Sequence, residues 1–135
     1  MSHTDNKKEV INGVKWDFIP KNSVLLVIDM QNDFVLDGAV MEVRNAKYQV
    51  NDIKKVIDAC RQKGIPVIYT VHETDPKLCP LEILAFPHLI NGGMRKGTKG
   101  ARVIDDLEPL ESETVIYKNR FSAFYKTDLD MVLDK

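Results

Sequence analysis

Residues 24–29, Val24-Leu25-Leu26-Val27-Ile28-Asp29, set five aliphatic side chains in a row and end on a carboxylate. Residues 114–118, Thr114-Val115-Ile116-Tyr117-Lys118, repeat the pattern and end on an ammonium. A half-buried strand alternates apolar with polar. A continuous apolar run of this length instead belongs to a strand buried on both faces, as in a parallel sheet covered by helices. A third run, Val67 to Val71, opens after Pro66 and leads into His72. Side chains that do chemistry in such a sheet sit just beyond the carboxyl ends of the strands. Asp29 and Lys118 are therefore candidates for one site.

Between the first two runs, Val50, Ile53, Val56, Ile57 and Cys60 recur three or four residues apart. That spacing predicts a helix over 46–63 with one buried face, stopped by Gly64. Strand, helix and strand with short links make a right-handed crossover, so the strands run parallel and Asp29 and His72 face the same edge. Residues 30–45, with turn chemistry at Asp37-Gly38, read as a loop at that edge. Residues 73–100 carry Pro76, Pro80, Pro87, Gly92, Gly93, Gly97 and Gly100, and read as a long connection serving as a lid or part of an interface. A short helix is expected over 101–108. Thr127-Asp128 has the chemistry of a helix start for a final helix carrying Leu129, Val132 and Leu133. Residues 1–21 are expected to form an N-terminal flap, with Trp16, Phe18 and Ile19 supplying its packing, ahead of an α/β domain over 22–135.

Composition narrows the function. The 135 residues are 44% hydrophobic and 29% charged, which suits one folded domain with a real core. Nineteen basic against twenty acidic residues leave a net charge of −1, which removes the electrostatic case for nucleic acid or an anionic membrane surface and favours a small-molecule partner. No apolar stretch approaches the roughly 20 residues that span a bilayer, and the N-terminus lacks the apolar core of a secretory signal. Two cysteines without C-x-x-C spacing point to free thiols in a reducing cytoplasm.

Neighbouring strands lie about 4.8 Å apart, so a lysine two strands away can still reach an aspartate at the same edge. A carboxylate beside an ammonium stays ionised and can accept a proton from a nucleophile, while the lysine stabilises developing negative charge. A thiol is the natural third member. The plain alternative makes Asp29 a loop or helix cap and Lys118 a solvated strand end.

Three segments bear on that choice. Leu26-Val27-Ile28-Asp29-Met30-Gln31-Asn32-Asp33-Phe34, Lys96-Gly97-Thr98-Lys99-Gly100-Ala101 and Lys118-Asn119-Arg120-Phe121-Ser122-Ala123-Phe124 together resemble the isochorismatase-like cysteine hydrolases, over about residues 22–126. The resemblance implies a Rossmann-like three-layer α/β/α fold with a parallel sheet, incomplete in this chain. It also implies an Asp/Lys/Cys triad in which Asp29 is the general base and Lys118 its charged partner. In such a family the nucleophilic cysteine stands at a helix N-terminus after one further strand, beyond residue 135, and that strand flanks the one ending in Asp29. The implied partners are thus a missing C-terminal segment or further copies in a homo-oligomer. Hydrolysis of a C–N amide bond suits a thiol nucleophile directly, with cleavage of a vinyl ether as the second chemistry.

Neither cysteine present replaces that thiol. Cys60 falls on the buried stripe of the first helix and reads as a small core residue, while Cys79 lies on the long connection with nothing in the sequence to fix it beside Asp29. Phe34, Arg120 and Phe121 are the substrate-binding candidates. Of these, Phe34 reads first as core, Phe121 as a pocket wall, and Arg120 as a bidentate receptor for a carboxylate or as a solvated charge. Gly92 to Lys99 lacks the Lys-then-Ser/Thr order of a phosphate loop, and Gly97-Thr98-Lys99-Gly100 reads as a turn. His72-Glu73-Thr74 does not reproduce the Asp-x-His metal element of the nicotinamidase branch. No metal and no cofactor is expected.

Overall fold

The computed structural model describes residues 10, 11, 14, 15 and 17–135, the first four by backbone only. Strands β1 (Val10–Ile11) and β2 (Val14–Lys15) pair antiparallel. The main sheet contains β3 (Leu25–Ile28), β4 (Val67–His72) and β5 (Thr114–Lys118), all parallel, in the order β3-β4-β5. The expected parallel sheet is present. The strand that ends at Asp29 lies at the edge of the described sheet, with no strand on its outer side among the described residues.

Each strand sends alternate side chains to opposite layers. On one face Val27, Val67 and Tyr69 pack with Val50 and Ile57 of α2 (Ala46–Gln62) and with Ile104 and Leu107. On the other face Ile68 and Ile116 meet Leu129 of α5 (Leu129–Leu133), with Leu26, Ala123 and Val132 around them. Burial of each such side chain contributes roughly 1.5–3 kcal/mol. Tyr69 is fully buried, and its hydroxyl accepts from Arg61, whose guanidinium also grips Glu113 at 2.7 and 2.9 Å.

The first helix follows its expected range and stop. Gly64 at φ +69° closes α2: its N–H donates to the Arg61 carbonyl, and that of Ile65 to the Cys60 carbonyl. Val56, expected on the buried stripe, is about half exposed. The final helix carries the three expected apolar residues, of which Leu129 and Val132 face inward and Leu133 is exposed, and the Thr127 hydroxyl accepts from the Leu129 N–H at 3.2 Å.

Three expectations need correction. The loop over 30–45 contains a short helix, α1 (Asn32–Val35). The long connection contains two, α3 (Pro80–Ala85) and α4 (Pro87–Ile90), each with proline in its first turn, where the missing N–H costs nothing. The helix expected over 101–108 is only a 3-10 turn at Asp105–Leu107. Hydrogen bonding of the Ile104 N–H to the Met30 carbonyl and a bridge between Gln31 and Val103 hold the preceding residues extended.

The flap expected over 1–21 falls largely outside the described residues, Trp16 included. Phe18 is about three-quarters exposed and supplies little packing. No helix among the described residues is long and apolar enough to cross a membrane.

Candidate active site

The register of the sheet decides the geometry. Ile28 pairs with Thr70, and His72 with Lys118, so the carboxyl ends of all three strands share one edge. Asp29 adopts a left-handed backbone (φ +54°), a conformation in which aspartate is several-fold enriched among non-glycine residues. Its N–H still donates to the Thr70 carbonyl, and its carbonyl accepts from the Gln31 N–H at 2.8 Å. The Asp29 carboxylate takes the Thr70 hydroxyl on Oδ1 at 2.7 Å and the Lys118 ammonium on Oδ2 at 3.0 Å. Strain of this kind at a charged strand end accompanies functional sites.

Lys118 crosses under β4 and is 2% exposed, against 25% for the Asp29 side chain. Its remaining hydrogens go to the carbonyls of Arg120 (3.3 Å) and Phe121 (3.0 Å). A buried ammonium with three acceptors has its desolvation offset, and it holds the carboxylate toward solvent. The solvated-strand-end alternative for Lys118 is excluded by this burial.

The residues after Asp29 brace the edge. Gln31, fully buried, donates to the carbonyls of His72 and Ala101 at 2.8 Å each and accepts from the His72 N–H at 2.9 Å. Asn32 donates to the Lys99 carbonyl, and the Asp33 carboxylate accepts from the Met94 N–H. The Asp33 carboxylate lies directly over Gly100, where a Cβ would overlap it. The Lys96-to-Ala101 segment is thereby a turn pinned against the first strand's exit, with Gly97 at φ +81°. Sequence reasoning assigns Gln31, Asn32 and Asp33 no roles. It missed Thr70 altogether, although a hydroxyl inside a continuous apolar run was the available signal.

His72 stands beside the pair and is nearly buried. Burial pushes its pKa below the ordinary histidine value, with the positive charges of Lys118 and Arg120 acting in the same sense and Asp29 opposing. Its ring meets Phe121 edge-on, centroids 6.1 Å apart, and Phe121 itself is highly exposed.

The other candidates separate. Phe34 packs against the core around α2. Arg120 has no open fork for a carboxylate: Nε pairs with Glu82 at 2.9 Å, and Nη1 donates to the Asn119 carbonyl (2.8 Å) and the Cys79 sulfur (3.4 Å). Cys60 is half-buried against the core, and Cys79 is fully buried. Its sulfur faces the Asn119 carbonyl at 3.7 Å. Among the described residues no three His, Cys, Asp or Glu side chains group closely enough to hold a metal.

The isochorismatase domain matches residues 23–135. The chain belongs to the isochorismatase family. A probable inactive nicotinamidase of Arabidopsis thaliana is 40% identical over 117 residues, covering 84% of this chain and 60% of that protein. A ureidoacrylate amidohydrolase of Agrobacterium fabrum is 29% identical over 134 residues, covering 84% and 59%. The crystal structure of an isochorismatase family protein from Desulfovibrio vulgaris superposes with a TM-score of 0.75 at 37% identity, covering 84% of this chain and 60% of that one. The chain thus spans about three-fifths of the length of these relatives, and its fold is isochorismatase-like.

Proposed function

We propose that this chain carries two of the three catalytic groups of a cysteine-dependent hydrolase that cleaves a C–N amide bond in a small molecule. The observation that supports it most is the contact between the buried Lys118 ammonium and the Asp29 carboxylate, 3.0 Å apart at the carboxyl edge of the sheet. Asp29 accepts the proton of the attacking thiol, and Thr70 and Lys118 orient the carboxylate through one oxygen each. Lys118 offsets negative charge as it develops on the substrate. In line with the Asp/Lys/Cys triad that the family resemblance implies, the thiol is supplied beyond residue 135; Cys60 packs on the core of α2 and Cys79 is engaged by Asn119 and Arg120. Amide cleavage is favoured over vinyl ether cleavage by the chemistry of a thiol nucleophile and by similarity to an amidohydrolase.

The test is turnover of small amides by the protein at its natural length, with residues 1–135 assayed beside it. Turnover is expected to vanish on thiol alkylation and to fall about 10²–10⁴-fold in Asp29→Asn, with residues 1–135 alone inactive. Alkylation-sensitive turnover by residues 1–135 would move the nucleophile to Cys79. A non-catalytic binding module is the second reading, favoured by the 40% identity to a probable inactive nicotinamidase. Ligand binding without turnover at natural length would select it.

A further inference from the structure

Residues 75–93 leave the sheet edge and return to it where Thr74 bridges Arg95. Beneath them, bounded by His72 and Phe121, lies a cavity of about 280 Å³. That volume is near the lower end of the roughly 300–1,000 Å³ of ligand pockets and suits a ring or a branched chain of few atoms. Met41, Phe86, Leu89, Met94 and Phe121 supply its apolar wall.

Apart from His72 and His88, the polar groups on that wall are already engaged within the protein. The Thr74 hydroxyl donates to the Gly93 carbonyl at 3.0 Å, and Asn119 Nδ2 to the Glu73 carbonyl at 3.0 Å. The Arg120 guanidinium is neutralised by Glu82 at 2.9 Å and further satisfied by the carbonyls of Asn119 and Leu78 and by the Cys79 sulfur. His72 differs: its ring packs at right angles to that of Phe121, and its burial beside Lys118 favours the neutral imidazole. A neutral imidazole offers one donor and one acceptor. A carboxylate entering this space would lose its hydration beside a guanidinium already paired with Glu82, whereas an apolar body would only leave water.

We propose that this cavity selects the non-reacting body of the substrate as an uncharged, mainly apolar group held by one hydrogen bond to His72, and that the Glu82–Arg120 pair excludes a carboxylate there. The proposal rests on the reading of Asp29 and Lys118 as the catalytic edge.

Binding of benzamide and of 4-carbamoylbenzoate to the full chain, measured by calorimetry near neutral pH, tests it. Benzamide is expected to bind at least about tenfold more tightly, because the second probe adds an unpaired carboxylate. Glu82→Gln frees the guanidinium and is expected to shrink or reverse that ratio. Met94→Trp fills the cavity and is expected to abolish benzamide binding, with Leu89→Trp as the second filling variant if the first does not fold. Equal or tighter binding of the carboxylate by the wild type, no benzamide binding, benzamide binding that survives a folded filling variant, or an unaltered ratio in Glu82→Gln would each overturn the proposal. Turnover is not read in this experiment, so inactivity of the protein bears on the catalytic assignment alone.

Discussion

The side-chain amide of Gln31 pairs with both main-chain groups of His72, accepting from its N–H at 2.9 Å and donating to its carbonyl at 2.8 Å. A side chain thus continues the ladder one step past the end of β3. The main chain, turned aside at Asp29, no longer can. Removing it in Gln31→Leu strands two groups of His72 and the carbonyl of Ala101. A loss of about 2–4 kcal/mol is expected, given roughly 1–3 kcal/mol per buried unsatisfied group and partial relaxation. Urea unfolding of the variant checks this, and a loss below half a kcal/mol would show that water replaces the amide.

Lys118→Met keeps the stem and removes the charge. Breaking a buried ion pair from one side typically costs about 3–5 kcal/mol, and the quarter exposure of Asp29 places the expected loss toward the lower figure. Adding Asp29→Asn to Lys118→Met should recover part of it, because the carboxylate left alone is then neutral. A double-mutant cycle in urea reads the coupling directly, and additive losses would mean that the two groups do not interact in solution.

Gly100→Ala places a methyl on the Asp33 carboxylate, which is itself tied to the Met94 N–H and has little room to retreat. A destabilisation of about 1–3 kcal/mol is expected from overpacking. At Gly97 a Cβ meets nothing within 4 Å but the backbone is left-handed, so Gly97→Ala should cost only about 1 kcal/mol. Thermal unfolding of both variants gives the order, and a reversed order would refute the contact between Asp33 and Gly100.

His72 predicts a pH effect with a definite sign. Its folded pKa lies below the ordinary 6.5 because of burial first and Lys118 second, so below pH 6.5 the unfolded chain takes up a proton that the folded chain refuses. Stability is therefore unaffected by this group above that pH and declines as pH falls from 6.5 toward its folded pKa. Glu113, whose pKa is lowered by its hydrogen bond to Arg61, contributes in a separate window, from its ordinary 4.5 downward. Urea midpoints between pH 7.5 and 5 should fall for the wild type and fall less for His72→Asn. Parallel curves would place the sensitivity elsewhere.

Much of this site was legible from Asp29 and Lys118, because a parallel sheet puts every strand's carboxyl end at one edge and a lysine is long enough to cross a strand. Cys79 was not legible in the same way. Its depth depends on closure of residues 75–93 by the bridge between Thr74 and Arg95, a contact no local pattern announces. The state of Arg120 likewise depends on Glu82, which reaches it from a helix nearly forty residues earlier in the chain. The helices starting at Pro80 and Pro87 could have been read, since proline in a first turn is itself a helix signal.

The edge position of β3 has a consequence for amide exchange. Leu25 and Asp29 donate inward, to the carbonyls of Pro66 and Thr70, so by the alternation of a parallel ladder the N–H groups of Leu26 and Ile28 point away from β4. In the described sheet those two protons face outward and should exchange quickly while their neighbours persist. Any polypeptide that docks along this edge would write itself into the exchange pattern as protection gained at alternate residues, Leu26 and Ile28, with the already protected Val27 unchanged. Exchange at these positions, measured with and without an added polypeptide, would therefore report a strand docked along this edge without a structure of it.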